Sequence, residues 1–170
     1  MGRPIFFKQV RPGLYGKPFV LYKFRTMHEL KNEKGQYLPD ESRITTIGKL
    51  IRKYSIDELP ELWNVLLGDM SLVGPRPLLL RYLPYFSAAE KLRFMMKPGL
   101  TGWAQINGRN KLSWEERLSL DIWYVKNWTL LLDFKILIMT VINAMRHKDL
   151  IVLPNSYMLD LDEERKHKVS

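Results

Sequence analysis

The segment that most limits how this chain can fold runs from residue 55 to residue 77, where SIDELPELWN is followed by VLL and GDMSLVGPRP. Pro60 has no N–H to donate, so a helix tolerates it only in the first turn. We therefore predict a helix that begins with Asp57 as N-cap and ends at Gly68, a good helix stop. A capping box of Ser55 and Glu58 is the competing register, and it places Pro60 deeper at the cost of a hydrogen bond.

Two adjacent carboxylates, Asp57 and Glu58, lie at this predicted helix start. The positive end of the helix dipole favours the ionised form, which predicts an Asp57 anion suited to act as a nucleophile or a Mg²⁺ ligand. The charge of Glu58 adds a repulsion that a divalent cation could relieve. An ordinary helix cap followed by a first-turn acid explains the same pair, and it is the commoner case for these residues alone.

Cations at fixed positions accompany the two acids. Pro75 and Pro77 restrict the backbone on both sides of Arg76, whose planar guanidinium suits phosphate. Lys23 and Arg25 alternate with an aromatic residue on a predicted strand, so they share one face. A rigid surface turn and a solvated strand face are the alternatives. Together, paired acids and held cations favour chemistry on a phosphate.

The charge of the chain points to anionic partners. The formal net charge is +9, and residues 1–53 hold 12 Lys and Arg against 4 Asp and Glu. Such a segment attracts nucleic acid, anionic lipid headgroups or nucleotide phosphates, or else forms a solvated surface. The chain has no cysteine, which excludes disulfides, thiolate zinc sites and a cysteine nucleophile. The three histidines are scattered, which argues against a histidine metal cluster.

The remaining pattern predicts an α+β fold, a mostly helical single domain with an N-terminal β-hairpin. The predicted strands are 5–10 and 18–25, and the predicted loops are 27–43 and 101–110. The predicted helices are 47–54 with Thr45 or Thr46 as cap, 87–96, 113–125 with a Ser113–Glu116 capping box, and 131–145. We expect a catalytic domain over 1–154 and a charged, frayed tail over 155–170.

Aromatic residues alternate with basic ones between residues 103 and 135, a pattern typical of amphipathic helices at a membrane interface. The longest apolar stretch, 128–145, contains Asp133 and Lys135. It falls short of the roughly 20 apolar residues that span a bilayer. We therefore expect contact with a membrane surface without a crossing.

Six ordered stretches of this chain resemble the bacterial sugar transferase family, the monotopic polyprenyl-phosphate phosphoglycosyl transferases of the small single-domain type. The similarity covers about residues 4–148, and the ordered set is far more specific than any one stretch. The matching stretches are FKQVRPG (7–13), YKFRTM (22–27), SIDELP (55–60), GDMSLVGPRP (68–77), KPGLTGWAQINGR (97–109) and LDFK (132–135).

The resemblance implies transfer of a sugar-1-phosphate from a UDP-sugar to undecaprenyl phosphate with release of UMP. This is the first membrane step of capsule, O-antigen, exopolysaccharide or glycoprotein assembly. It also implies a Mg²⁺ cofactor and a location at the cytoplasmic face of the bacterial inner membrane. Family members carry an apolar re-entrant segment before the hairpin, and this chain begins just after the point where that anchor would end.

The resemblance assigns roles to residues of this chain. Asp57 matches the nucleophile that forms a covalent phosphosugar intermediate. Glu58 matches the partner acid, either a Mg²⁺ ligand with Asp57 or the base for the lipid phosphate. The positions that match phosphate contacts and an orienting acid are, respectively, Lys23, Arg52 and Arg76, and Asp133.

A basic module without catalysis, which binds anionic lipid or nucleic acid, is the alternative function. It predicts binding that falls steeply with salt and does not depend on Asp57. The acidic pair argues against it, because carboxylates in a polyanion site are repelled. We therefore expect no nucleic-acid partner.

Overall fold

The computed structural model describes residues 4–108, 112–145 and 160–169 of the protein. It confirms an α+β architecture with an N-terminal hairpin, and within those ranges no helix is long and apolar enough to cross a membrane. The strands are β1 Phe6–Pro12, β2 Pro18–Phe24, β3 Ser71–Val73 and β4 Gly99–Thr101. The helices are α1 Asp40–Arg43, α2 Thr46–Lys53, α3 Glu61–Leu66, α4 Trp103–Ile106, α5 Trp114–Lys126, α6 Leu130–Met145 and α7 Leu161–Val169.

The predicted hairpin is confirmed. β1 and β2 pair antiparallel, with Phe6 opposite Phe24 and Pro12 opposite Pro18. A short 3-10 turn at Leu14–Gly16 joins them, and it places Tyr15 at a φ of 55°. The hairpin fixes which side chains of β2 face the rest of the molecule, since neighbouring residues of a strand point to opposite faces.

The short basic helix α2 begins as predicted. Thr45 is its N-cap, and the side chain of Thr45 accepts a hydrogen bond from the N–H of Gly48 at 2.8 Å. The segment between β2 and α2 is closed at its base by an antiparallel bridge between Met27 and Ile44. As a result, both ends of this long connection lie beside the last residues of β2.

The predicted continuous helix from Asp57 to Gly68 is wrong in its first part. Ser55 adopts a left-handed conformation with φ 54°, and a separate 3-10 turn follows at Ile56–Glu58. α3 begins only at Glu61, with Pro60 as its N-cap and without a side-chain cap. Asp57 is therefore not a helix cap, and the alternative capping box of Ser55 is not formed either. Because Pro60 has no N–H to donate, it does not fit inside one continuous helix and lies at the boundary between the 3-10 turn and α3.

A pair of short parallel strands, which the sequence did not predict, lies at the centre of the chain. β3 and β4 pair with Ser71 opposite Gly99 and Val73 opposite Thr101. The predicted loop 101–110 contains the short helix α4, and its last two residues lie outside the described ranges. The predicted helix 87–96 is a 3-10 helix, Glu90–Met95.

Two predicted helices complete the fold. α5 has the expected capping box, in which Ser113 and Glu116 bond each other's backbone N–H. α6 packs against α5 and β3 through a buried cluster around Ile136 and Tyr124. A second buried cluster combines the segment 78–94 with Trp114 and Leu118 of α5.

The charged tail differs from the frayed segment we expected. Residues 155–159 and the boundary at 154 lie outside the described part, but α7 follows them and packs on the second cluster. Leu161 is 0% exposed there. Arg165 pairs with Glu90 through two hydrogen bonds. An apolar anchor and ion pairs therefore hold this end of the chain in place.

Candidate active site

The two predicted acids lie on one tight turn, which we call the acidic turn (residues 56–58). The carboxylate of Glu58 accepts a hydrogen bond from Lys23 Nζ at 2.8 Å through its Oε1. Both terminal nitrogens of Arg76 also donate to it, with Nη1 at 3.4 Å from Oε2. The structure thus brings together Lys23, Glu58 and Arg76, which lie far apart in the sequence.

Lys23 is held from a second side by α3. Its Nζ lies 3.0 Å from Oε1 of Glu61, whose side chain is 3% exposed. One helical turn later, the fully buried side chain of Asn64 accepts from the N–H of Tyr22 and donates to the carbonyl of Val20. Glu61 and Asn64 share one face of α3, because residues three apart on a helix are neighbours. This face sets the register of α3 on β2 and the position of Lys23.

The turn that carries Arg76 is fixed by its backbone. The N–H of Gly74 donates to the carbonyl of Thr101 at 2.9 Å, and the carbonyl of Pro75 accepts from Gly99 at 3.1 Å. A Cβ added to Gly99 would stand 2.1 Å from the backbone nitrogen of Gly74. A Cβ added to Gly102 would stand 2.2 Å from the carbonyl oxygen of Gly74. The glycines of the 97–109 stretch therefore allow the close approach that holds Arg76.

A buried ion pair reinforces this turn. Arg93 donates from Nη2 to the carbonyl of Arg76 at 2.7 Å and to Oδ2 of Asp121 at 2.8 Å. The side chains of Arg93 and Asp121 are only 2% and 3% exposed. Their pairing satisfies two charges that would be costly to bury alone. α5 thereby supports the position of Arg76.

Arg52 lies on the other side of the acidic turn, in the last turn of α2. Its Nε donates to Oγ1 of Thr26 at 2.9 Å. Its carbonyl accepts a hydrogen bond at 3.0 Å from the N–H of Ser55, the residue just before the acidic turn. Burial raises the pKa of Asp57, and the charges of Lys23 and Arg52 offset part of that rise.

The two acids of the turn have opposite pKa shifts. Burial by itself raises the pKa of Glu58, but the charges and hydrogen bonds of Arg76 and Lys23 outweigh it and hold the pKa well below its usual range. Burial raises the pKa of Asp57, and the charge of Glu58 raises it further. The predicted stabilisation of an Asp57 anion by a helix dipole is wrong, because no helix begins at Asp57.

Asp133 is used elsewhere. It accepts a hydrogen bond from the hydroxyl of Tyr124 at 2.7 Å and one from the indole N–H of Trp128 at 3.1 Å. Both partners belong to the end of α5 and the connection to α6. Burial, followed by this bond, raises the pKa of Tyr124. In the structure Asp133 orients α6 on α5.

Four supporting residues were missed by sequence reasoning: Thr26, Glu61, Asn64 and Arg93. Glu61 and Asn64 carry a usable sequence signal, since they are polar residues three apart on one face of a helix. In the structure both are buried. Thr26 lies within a quoted motif but on no recognisable pattern. The buried pairing of Arg93 has no local sequence signal, because its partners Arg76 and Asp121 are distant in the chain.

A metal ion at the acidic turn would have few protein ligands. The described ranges contain no group of three or more His, Cys, Asp or Glu side chains placed to hold one. Mg²⁺ commonly uses one or two carboxylates and completes its shell with water and substrate phosphate oxygens. The adjacent carboxylates of Asp57 and Glu58 fit that donor set.

Exposed apolar side chains flank the acidic turn, and we call them the apolar rim. Leu66 is 78% exposed and Trp63 is 58% exposed. The basic residues Lys49 and Lys53 of α2 are exposed as well. Large exposed apolar patches mark surfaces that bind something. The rim comprises Ile47, Leu50, Tyr54, Ile56, Leu59, Leu62, Trp63, Leu66 and Leu67.

Several known proteins are similar to this chain in sequence. The profile of the family described as bacterial sugar transferase matches residues 1–147. An uncharacterized sugar transferase of Bacillus subtilis, EpsL, is 64% identical over 141 residues, which are 83% of this chain and 70% of that protein. The undecaprenyl-phosphate galactose phosphotransferase of Salmonella typhimurium is 44% identical over 82% of this chain. The UDP-glucose:undecaprenyl-phosphate glucose-1-phosphate transferase of Escherichia coli is 39% identical over 85% of it.

The chain spans only 33% of the length of the Salmonella and Escherichia relatives. The family match nevertheless covers most of the chain, including both strands of the hairpin, the acidic turn and the Arg76 turn. The protein belongs to the bacterial sugar transferase family. Membership of this family disfavours the alternative of a basic module without catalysis.

Proposed function

We propose that this protein transfers a sugar-1-phosphate from a UDP-sugar to undecaprenyl phosphate, releases UMP, and so starts the assembly of a membrane-linked glycan. The observation that carries the proposal is the acidic turn itself. It brings two adjacent carboxylates together with Lys23 and Arg76, which bond Glu58, and with Arg52, whose carbonyl accepts from the residue just before the turn. Relatives named as undecaprenyl-phosphate sugar phosphotransferases share this part of the chain.

Asp57 is the proposed nucleophile. In the first step, a carboxylate oxygen of Asp57 forms a bond to the sugar-bearing phosphorus of the UDP-sugar. The bond from that phosphorus to the bridging oxygen breaks, and UMP leaves with the electron pair. In the second step, a phosphate oxygen of undecaprenyl phosphate attacks the same phosphorus and releases the Asp57 carboxylate. Two displacements let one site serve a soluble donor and then a lipid acceptor.

The opposite pKa shifts of the two acids support different roles for Asp57 and Glu58. The raised pKa of Asp57 describes a carboxylate that is poorly stabilised by its surroundings and therefore more nucleophilic when ionised. The lowered pKa of Glu58 describes a permanent anion that holds Lys23 and Arg76. Glu58 is thus better suited to hold cations than to accept a proton from the lipid phosphate.

The cations of the site would bind the phosphates. The guanidinium of Arg76 is already held by its hydrogen bonds to Glu58, on a backbone that Arg93 bonds at the Arg76 carbonyl, so little side-chain freedom is lost on binding. Preorganised positive charge stabilises the charge that develops on a transferring phosphoryl group. Asp57 and Glu58 would hold Mg²⁺, which supplies further neutralisation of the phosphate charge when bound.

The apolar rim fits the lipid acceptor. A polyprenyl chain is apolar and its phosphate is anionic, and the elements before and after the acidic turn carry the exposed apolar side chains of the rim and the exposed Lys49 and Lys53. An amphipathic helix with an exposed apolar face and basic residues on its polar side suits the surface of an anionic bilayer. We therefore propose that the protein works at the cytoplasmic face of the inner membrane, with the rim against the lipid.

The test is a turnover assay with a trapped intermediate. The protein is mixed with Mg²⁺, undecaprenyl phosphate and a panel of UDP-sugars, and UMP release is measured. In a second reaction without undecaprenyl phosphate, intact-protein mass spectrometry detects a mass increase of one sugar phosphate on the chain. We expect both signals for at least one donor, and EDTA removes both.

Two variants locate the chemistry. Asp57→Asn abolishes the adduct and the turnover. Asp69→Asn makes the same chemical change just beyond α3, outside the proposed machinery, and keeps both signals. An adduct that persists in Asp57→Asn would overturn the role of Asp57.

A further inference from the structure

The hydroxyl of Thr26 is a buried polar group to which the proposed reaction gives no role. Thr26 is 4% exposed and lies just after the end of β2. Its Oγ1 accepts the hydrogen bond from Nε of Arg52 at 2.9 Å. A buried polar group costs free energy unless it is paired, so this bond satisfies both partners. It joins the end of β2 to the last turn of α2.

The position of Thr26 is set by its main chain. Its carbonyl accepts a hydrogen bond from the N–H of Thr45 at 3.3 Å. Gly48 packs directly on the same carbonyl, since a Cβ there would stand 2.1 Å from the oxygen. Neither contact involves the Thr26 side chain. The backbone that carries the hydroxyl is thus held in place independently of Arg52.

The hydroxyl of Thr26 determines the orientation of the Arg52 guanidinium. An arginine side chain has several rotatable bonds, and ordering it costs conformational entropy. Within the described ranges, Nε is the one guanidinium nitrogen of Arg52 that is hydrogen-bonded. The bond orients the planar group while Nη1 and Nη2 stay available as a two-pronged donor for a phosphate. The N–H of Ser55 donates to the carbonyl of Arg52 at 3.0 Å, and α2 contacts the acidic turn, so this donor lies next to the acidic turn.

We propose that Thr26 is a positioning residue, which holds Arg52 by its Nε so that Nη1 and Nη2 face the phosphate transferred at Asp57. The inference rests on the proposed function for the identity of that phosphate. Thr26 does not touch the substrate, and its effect passes through Arg52.

The test begins with a matched pair of substitutions. Thr26→Val keeps the branched shape and the main-chain contacts but removes the acceptor, and Thr26→Ser keeps the hydroxyl. The loss of one hydrogen bond to a charged group lowers kcat/KM for UMP release about tenfold in Thr26→Val. Thr26→Ser stays within about twofold of the parent. Thr129→Val, which removes the hydroxyl that accepts from the N–H of Leu132 at the start of α6, is the control and keeps the parent rate.

A double-mutant cycle shows whether the effect passes through Arg52. In an Arg52→Ala background, the further change Thr26→Val has no effect on kcat/KM. An equally large loss in both backgrounds would overturn the inference, because Thr26 would then act on the fold in general.

A second readout needs no turnover. The Nε–H of Arg52 is followed by ¹⁵N NMR in the full chain without substrate and assigned by its disappearance in Arg52→Lys. Its exchange with solvent is slow in the parent and in Thr26→Ser and becomes fast in Thr26→Val. Unchanged exchange in Thr26→Val overturns the inference. If the parent releases no UMP with any donor, the proposed function fails, and the exchange measurement still decides whether Thr26 holds Arg52.

Discussion

Two charged regions of this protein differ in how completely their acids are paired. Around the acidic turn, Lys23 and Arg76 both bond to Glu58, and among the described residues no cation lies within salt-bridge distance of Asp57. At the attachment of α7, Glu90 has Arg165 as its own partner. The pKa of Asp57 is accordingly raised by burial, whereas hydrogen bonds from Arg165 lower the pKa of Glu90 to about 2.

The difference separates a reactive charge from a structural one. A carboxylate that is half-buried, repelled by a neighbour and only partly compensated costs the fold free energy. Such groups persist where function requires them, and perturbed pKa values cluster at active sites for this reason. The α7 attachment shows the ordinary arrangement of the same residue types, in which pairing stabilises the fold.

The largest effect we predict is the loss of activity in Asp57→Asn. Removal of a covalent nucleophile lowers kcat on the order of 10⁴-fold or more. The same substitution leaves the midpoint of thermal unfolding unchanged or slightly raised, because it removes a poorly compensated buried charge. Calorimetry and the UMP assay on one preparation check both parts. A clear loss of stability would mean that Asp57 is structural, and the contrast with the α7 attachment would disappear.

The second effect is a loss of stability in Leu161→Ala. Leu161 is fully buried with Tyr82 and Trp114, and truncation of a buried leucine costs about 2–5 kcal/mol. Urea unfolding measures this loss. The neighbouring change Glu163→Ala, at an exposed position, is the control and costs less than about 0.5 kcal/mol. A small effect of Leu161→Ala would show that α7 is not part of the cooperative fold in solution.

Local patterns predicted the parts of the fold that local chemistry decides. The hairpin at Pro12–Pro18, the Thr45 cap and the Ser113–Glu116 capping box depend on neighbours in sequence, and all three form. The sequence did not predict the break in the helix between Ser55 and Glu61. Pro60 is compatible with such a break, but a left-handed conformation at serine has no sequence signal comparable to a glycine.

The site was predictable only in part, for the same reason. The acidic turn and the Arg76 turn are local motifs, and their meeting with Lys23 was expected only from the family resemblance. The helpers Glu61 and Arg93 act through contacts that join distant parts of the chain. The parallel pairing of β3 and β4 is also non-local, and strands of three residues leave little periodicity to detect.

The third effect is a pH dependence at the α7 attachment. The pKa of Glu90 is lowered by the hydrogen bonds of Arg165 from its ordinary value near 4.5 to about 2 in the folded protein. A lowered folded pKa stabilises the fold above the unfolded pKa, and this contribution is lost as the pH falls from about 4.5 to about 2. Solvent screening limits it to about 1 kcal/mol.

The measurement compares thermal unfolding of the parent and of Glu90→Gln at several pH values. The parent is the more stable at pH 6, and the difference shrinks as the pH falls toward 3. Asp57→Asn, measured in parallel, differs in sign: at pH 6 this variant is at least as stable as the parent, because burial raises the pKa of Asp57 in the folded parent. A gap between parent and Glu90→Gln that is constant with pH would mean that the pair is held by shape and not by charge.

The smallest effect is expected for Arg81→Ala, also at the α7 attachment. Arg81 bonds Asp160 and lies 3.6 Å from Asp162, but its side chain is 53% exposed. Exposed ion pairs contribute about 0–1 kcal/mol, since water and salt screen them and long side chains lose entropy. Urea unfolding should therefore show a loss of at most about 0.5 kcal/mol that vanishes in 1 M salt. A loss several times larger would match the loss expected for Leu161→Ala. It would mean that ion pairs, and not the burial of apolar side chains, mainly stabilise the attachment of α7.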